Sequence, residues 1–246
     1  GKYHFDTEGD FIEITCADDS KEWYDNAKLR SESCAGFQEA GIYAPPPPGL
    51  EGCDLPLIIS GCEVAEKDQI VIPKVAEAAE GERCLLGFAT EGEYRTITAA
   101  AQAYGHKLIA LSPCDINKQK QVNILISDMG FPLTDIVIYP TTAALGYGME
   151  YVYSILERGR LAALSGDKLM AMPVFLDPGL EAWRAKEART LEAETTNWGP
   201  EEQRGPAWEA ITATNLLQGG ADLLALRHPK AIDAVNASTA IRTAVF

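Results

Sequence analysis

Short apolar runs alternate with longer polar or amphipathic stretches along most of the chain. Phe11-Ile-Glu-Ile-Thr-Cys alternates apolar and polar positions and predicts a strand. Further strands are predicted at Leu55-Pro-Leu-Ile-Ile-Ser-Gly, Cys84-Leu-Leu-Gly-Phe-Ala, Lys107-Leu-Ile-Ala-Leu-Ser, Ile136-Val-Ile-Tyr, Met172-Pro-Val-Phe-Leu and Asp222-Leu-Leu-Ala-Leu-Arg. These later runs lack strict alternation, so both of their faces are expected to be buried, as in a parallel sheet. Helices are predicted over 20–41, 68–80, 91–104, 116–129, 149–164 and 205–218, with a last one starting over 229–235. A glycine able to take the left-handed cap follows most of them: Gly41, Gly81, Gly105, Gly130, Gly166 and Gly219-Gly220. Pro45 to Pro48 predicts a rigid extended loop.

Regular βα alternation gives about seven units, which points to an α/β fold of the TIM-type (β/α)8 barrel class. A doubly wound open sheet is the alternative, but its Gly-x-Gly-x-x-Gly turn is absent, and Gly146-Tyr-Gly is too short to supply it. The chain is expected to be a single barrel domain over 1–246. The strand count is one short of eight, and Gly1-Lys-Tyr-His-Phe is too brief and polar to supply the missing first strand. Residues 1–54 are therefore read as a divergent or truncated N-terminal part.

Composition narrows the function classes. A formal charge of −15, with no basic stripe, argues against a nucleic-acid partner, because phosphate contacts need clustered Lys and Arg. The six cysteines, Cys16, Cys34, Cys53, Cys62, Cys84 and Cys114, include no C-x-x-C pair, and His4, His106 and His228 do not cluster with them. No metal site within the chain is expected, and the thiols read as free in a reducing compartment. No leader and no apolar run of membrane length is evident, so a cytoplasmic protein without a membrane partner is expected.

In a barrel, chemistry collects at the carboxyl ends of the strands. Here those ends are Ser60-Gly-Cys, Ala89-Thr-Glu, Ser112 to Asn117, Pro140-Thr-Thr, Asp177-Pro-Gly and Arg227-His-Pro. They are rich in small and hydroxyl residues and poor in paired acids and bases. No Ser/His/acid constellation, H-E-x-x-H or Walker loop is present. Asp115 and Asn117 suit hydrogen bonding to a heterocycle, or Asp115 caps the next helix. His228 suits an anion or a metal ligand, or simply starts a helix before Pro229. Gly146-Tyr147-Gly148, with Thr141 and Thr142, leaves room for a flat macrocycle or a partner loop, or forms a plain tight turn. Gly146 is expected at positive φ, and Thr142 outside the strand cores. Trp183, Trp198 and Trp208 read as partner-surface anchors or as packing.

Several longer motifs stand in order: Ser112-Pro-Cys-Asp-Ile-Asn-Lys-Gln-Lys-Gln-Val-Asn, Ala144-Leu-Gly-Tyr-Gly-Met-Glu-Tyr, Arg158-Gly-Arg-Leu-Ala-Ala-Leu-Ser-Gly-Asp-Lys, Glu181-Ala-Trp-Arg-Ala-Lys-Glu-Ala and Trp208-Glu-Ala-Ile-Thr-Ala-Thr. Through them the chain resembles the small, or delta, subunit of the corrinoid iron–sulfur protein of the acetyl-CoA synthase/decarbonylase system. The resemblance is good over roughly 55–235 and loose before it. It implies a pterin-binding, dihydropteroate-synthase-like barrel. It also implies a non-catalytic or accessory role, scaffolding and capping a cobamide held mainly by a large corrinoid and iron–sulfur subunit in a heterodimer. The implied further partners are a methyl-pterin methyltransferase, which supplies the methyl group, and acetyl-CoA synthase/CO dehydrogenase, which receives it. Set beside the strand-end reading, the candidate cofactor-contacting residues are Asp115, Asn117, Thr141, Thr142, Gly146, Tyr147, Gly148 and His228, with none catalytic, none binding metal and no cofactor held by this chain alone. The alternative is a pterin-dependent methyltransferase that binds methyltetrahydropterin itself through Asp115 and Asn117. Tyr139-Pro140 departs from the family's Asp-Pro and puts one hydroxyl where a carboxylate would stand.

Overall fold

The structure, a computed structural model, describes residues 12–15, 37–38, 42–43, 57–61, 64–195 and 197–243. In chain order these form β1 (Ile12–Thr15), β2 (Phe37–Gln38), β3 (Ile42–Tyr43), β4 (Leu57–Ser60), α1 (Ala65–Ala78), β5 (Leu85–Ala89), α2 (Tyr94–Tyr104), β6 (Lys107–Leu111) and α3 (Ile116–Asp128). They continue with β7 (Ile136–Tyr139), α4 (Met149–Leu164), β8 (Phe175–Leu176), α5 (Pro178–Arg184), α6 (Lys186–Arg189), α7 (Glu201–Gly219), β9 (Leu223–Leu224) and α8 (Pro229–Thr243). The chain divides into two compact units, Gly1–Leu111 with Lys120–Val137, and Ser112–Gln119 with Ile138–Phe246.

The first unit is built on parallel strands, β1 beside β4, β4 beside β5 and β5 beside β6, with Ile59 opposite Leu86 and Leu86 opposite Leu108. β5 is buried along its whole length, as its unbroken apolar run requires of a strand covered on both faces. α1 and α2 pack on each other and on β5. Ile97 and Ala101, one turn apart on α2, are fully buried, and so are Leu86 and Leu108. Gly105 closes α2 in the left-handed conformation at φ 75°. His106 is a fixture of this core. Its Nδ1 accepts the Cys84 amide at 3.2 Å, and its Nε2 donates to the Ala76 carbonyl at 2.8 Å.

Three expectations change in this unit. α2 starts at Tyr94, after the predicted Glu91. α1 starts at Ala65, before the predicted Asp68. Within the predicted helix 20–41, Phe37–Gln38 is instead a strand paired antiparallel with Ile42–Tyr43. Aromatic and β-branched residues there outweigh the polar run that suggested a helix. The rest of that stretch, the Pro45–Pro48 loop and the Gly1–Phe5 segment lie outside the described residues.

The second unit is held differently. Ile138 donates to the Pro173 carbonyl at 2.8 Å and bridges Val174 in parallel, and β8 pairs parallel with β9. The predicted strands 172–176 and 222–227 shrink to two residues each. Side chains take over the backbone groups around them. The Asp222 carboxylate accepts from the Val174 amide at 2.9 Å, while the Asp222 amide donates to the Val174 carbonyl at 2.9 Å. α7 packs against α5, α6 and α8, and Ala210, Ala213 and Ala231 let α7 and α8 approach closely over Val235. α7 starts at Glu201 rather than Gly205 and carries Pro206 inside it. α5 and α6 were not anticipated, although Asp177-Pro178 has the signature of a capped helix start, with Asp177 Oδ1 accepting the Leu180 amide at 2.8 Å.

Candidate functional site

All eight residues singled out from the sequence fall in the second unit. The turn after β7 opens with Thr141 at φ 61°, a left-handed conformation uncommon outside glycine. Thr142 is 1% exposed, and its hydroxyl donates to the Asp177 carbonyl at 2.8 Å. This corrects the expectation that Thr142 is an open rim position: its side chain ties the turn to the end of β8. Ala143–Gly146 forms a 3-10 turn, and Gly148 at φ 146° leads into α4. A side chain on Gly148 would collide with the Glu150 carboxylate. Gly146 is not in the left-handed region, and nothing lies within 4 Å of where its Cβ would stand. The expected strain at Gly146 therefore falls on Thr141 and Gly148 instead. Tyr147 projects from the turn, 86% exposed.

A polar network lies at the ends of β8 and β9. Glu209 on α7 is fully buried; one oxygen accepts from the Trp183 indole at 2.7 Å and the other from the Arg227 amide. Trp183 reaches this position because Gly205 has no side chain: a Cβ there would collide with the indole ring. Gly179 likewise leaves room for the Glu209 carboxylate, the Arg227 side chain and the Ala225 carbonyl. The Arg227 guanidinium lies 4.0 Å from the Asp177 carboxylate. The His228 ring stacks on Trp183 at 5.9 Å between centroids, and its Nδ1 accepts the Lys230 amide at 3.1 Å. His228 thus helps to start α8. With Nδ1 used as an acceptor, the neutral ring carries its proton on Nε2, which does not fit a metal ligand.

Asp115 caps α3. Its Oδ1 accepts the Asn117 amide at 2.8 Å and the Lys118 amide at 3.3 Å, and both Asp115 and Asn117 are exposed. Beneath them Ser112 donates to Gln119 at 2.9 Å, with both side chains buried. Tyr139 is buried, edge-on to Phe175 at 4.9 Å. Thr142 and His228 are thus linked through Asp177 and Arg227, Thr141 to Gly148 form one turn, and Asp115 and Asn117 mark a separate strand end. Trp198 and Trp208 remain largely exposed.

The first unit has a feature at its own strand ends that the sequence did not reveal. The buried Asp68 carboxylate occupies the space a side chain on Gly61 would need. Burial pushes the Glu93 carboxyl above its usual range, the Asp68 charge adds to this, and the Thr90 hydroxyl bonded to it opposes both. Among the described residues no group of three or more His, Cys, Asp or Glu could hold a metal ion, and no helix is long and apolar enough to cross a membrane.

Comparison with known proteins bears on both fold and family. Dihydropteroate synthase from Thermus thermophilus superposes with a TM-score of 0.53 at 17% identity, covering 94% of this chain and 91% of that one. Its complex with 6HMPPP gives 0.52 at 15% identity, covering 95% and 92%. The fold is thus an α/β barrel of the pterin-binding, dihydropteroate-synthase-like kind. A family model described as CO dehydrogenase/acetyl-CoA synthase delta subunit matches residues 50–228. The acetyl-CoA decarbonylase/synthase complex subunit delta 1 of Methanosarcina thermophila is 40% identical over 188 residues, 74% of this chain and 43% of that protein. The subunit delta of Archaeoglobus fulgidus is 41% identical over 188 residues, 74% of this chain and 41% of that protein. That of Methanopyrus kandleri is 41% identical over 187 residues, 76% and 46%. The chain spans less than half the length of these relatives.

Proposed function

Because the chain belongs to the CO dehydrogenase/acetyl-CoA synthase delta subunit family, we propose that it acts as an accessory subunit. In this role it docks on a large corrinoid and iron–sulfur subunit as a heterodimer and caps the cobamide that subunit holds. The bound cobamide supplies the cobalt that carries a methyl group from a methyl-pterin methyltransferase to acetyl-CoA synthase. This chain's own residues orient and cover. The observation that carries the reading is the state of the carboxylates at the β8 and β9 ends. Asp177 caps α5, and Glu209 is spent on the Trp183 indole and the Arg227 amide. Neither carboxylate is left as a general acid or base, while the neighbouring turn presents open backbone at Gly146 and an exposed Tyr147 ring. Such a surface fits contact with a flat macrocycle, and His228 does not fit coordination to its metal.

The alternative, direct binding of methyltetrahydropterin, rests on Asp115 and Asn117, of which Asn117 keeps an exposed side chain and Asp115 is the charged group able to accept from a heterocycle. The Asp115 Oδ1 is occupied by two backbone amides of α3, which favours the accessory role. Co-expression with a large corrinoid subunit tests the proposal. The two chains should purify together, with the visible spectrum of the cobamide in the complex and none in this chain alone. A chain that titrates methyltetrahydropterin alone, and does not co-purify with the large subunit, would replace the accessory role with the methyltransferase one.

A further inference from the structure

α7 buries one face in the second unit and turns the other to solvent, and the outward face is unusual. From Gly205 to Ala221 the only charged residue is Glu209, and its side chain is buried. The exposed positions are Ala207, Trp208, Ile211, Asn215 and Gln218, which the helical period sets on one side. Ile211 is 63% exposed and Trp208 44%. α4, in the same unit, instead has Glu157, Arg158 and Arg160 at exposed positions, as a solvated helix face normally does. An uncharged face about three turns long, centred on isoleucine and tryptophan, has the composition of an interface core rather than of a wetted surface.

The charge pattern indicates what covers it. A basic partner would be met by carboxylates and an acidic one by Lys or Arg, and this face offers neither. Two molecules of formal charge −15 repel each other least where both are neutral. The face also matches itself. When a second α7 is laid antiparallel across it on a two-fold axis at Ile211, Trp208 comes opposite Thr214 and Ala207 opposite Asn215, so the bulky ring meets a small side chain. We propose that the chain pairs with a second copy of itself through the outward face of α7, antiparallel and centred on Ile211. The inference is independent of the accessory role and of the strand-end turn.

The test measures the mass of the full chain in solution by light scattering, across roughly 1 to 300 µM. The mass should climb from one chain towards two, with a dissociation constant on the order of tens of micromolar for so small an interface. Ile211→Arg should weaken the association at least about tenfold at unchanged Tm, because the side chain it replaces is largely in solvent. Leu164→Arg on α4, where the leucine is 76% exposed, should leave the association as it is. Ile211→Cys should give a disulfide-linked pair under mild copper-phenanthroline oxidation, above the background of the native thiols. Gln218→Cys should not, since it lies about 20 Å from its copy in an antiparallel pair. If Ile211→Arg lowers the Tm, the two cysteine variants decide. A single chain throughout the series would overturn the proposal. So would association that survives Ile211→Arg in a folded chain, or Gln218→Cys linking as readily as Ile211→Cys. A single chain that binds a large corrinoid subunit, and loses it in Ile211→Arg, would give the face to that subunit and overturn the pairing with a second copy.

Discussion

The two units of this chain are stabilised by different means. In the first, apart from the two-residue pair β2–β3, strands of four or five residues pair in parallel, with one register shift between β5 and β6, and β5 is buried throughout. In the second, β8 and β9 are two residues each, and side chains supply what the ladder does not: Asp222 to the Val174 amide, Thr142 to the Asp177 carbonyl, and Glu209 to Trp183 and the Arg227 amide. Charge divides the same way. The first unit has 10 Lys and Arg against 22 Asp and Glu, a net −12, and the second has 11 against 14, a net −3. The unit whose strand ends rely on polar side chains is thus also the one that least repels an anionic partner. A strand end built from side-chain bonds can present an irregular surface that a continuous ladder would not allow.

The contrast can be tested by removing one support at a time. Leu86→Ala in the fully buried β5 should cost about 3 kcal/mol of unfolding free energy, because it leaves a cavity in a packed ladder. Glu209→Ala should cost about 2 kcal/mol although it removes a polar residue, since it empties a fully buried site and leaves the half-buried Trp183 indole N–H and the Arg227 amide without their acceptor. Glu209→Gln keeps the shape and should cost less. Denaturant unfolding of the three variants checks the order; a Glu209→Ala variant as stable as the parent would show that side chains do not hold these strand ends. Thr142→Val, which keeps the shape and loses the bond to the Asp177 carbonyl, should cost about 1 kcal/mol.

The smallest effect belongs to the first unit. Burial raises the Cys84 thiol to about 11, with the nearby Glu82 charge adding to the shift. Since the folded pKa lies above the unfolded one, this group's contribution to stability is complete below about pH 9 and is lost as pH rises towards 11. Cys84→Ala should flatten that decline. Iodoacetamide at pH 8, read peptide by peptide, should label Cys114 well before Cys84. Equal labelling rates would mean that the core around β5 is open.

These differences explain what the sequence revealed. β5, β6 and α4 were legible because their signals are local: an unbroken apolar run, or a helical period closed by Gly. The two-residue strands were over-read because their ladder ends where Asp222 intervenes, a contact 48 residues away from Val174. Thr142 reads as an open position in the sequence because its partner carbonyl lies 35 residues on. The cap at Asp115 and the helix start at His228 were readable as local alternatives. The role of Glu209 was not, since it depends on Gly205 and Gly179 admitting Trp183 and Arg227.

The turn Thr141 to Gly148 carries the central claim, and Gly146 is the place to test it, since bulk there meets open space and no left-handed backbone. The direct measurement is the rate of methyl transfer to acetyl-CoA synthase by the reconstituted complex containing Gly146→Trp. The expected result is a rate at least about tenfold lower, with unchanged Tm and an intact complex. An undiminished rate in a folded, assembled complex would contradict the claim that this face covers the cobamide.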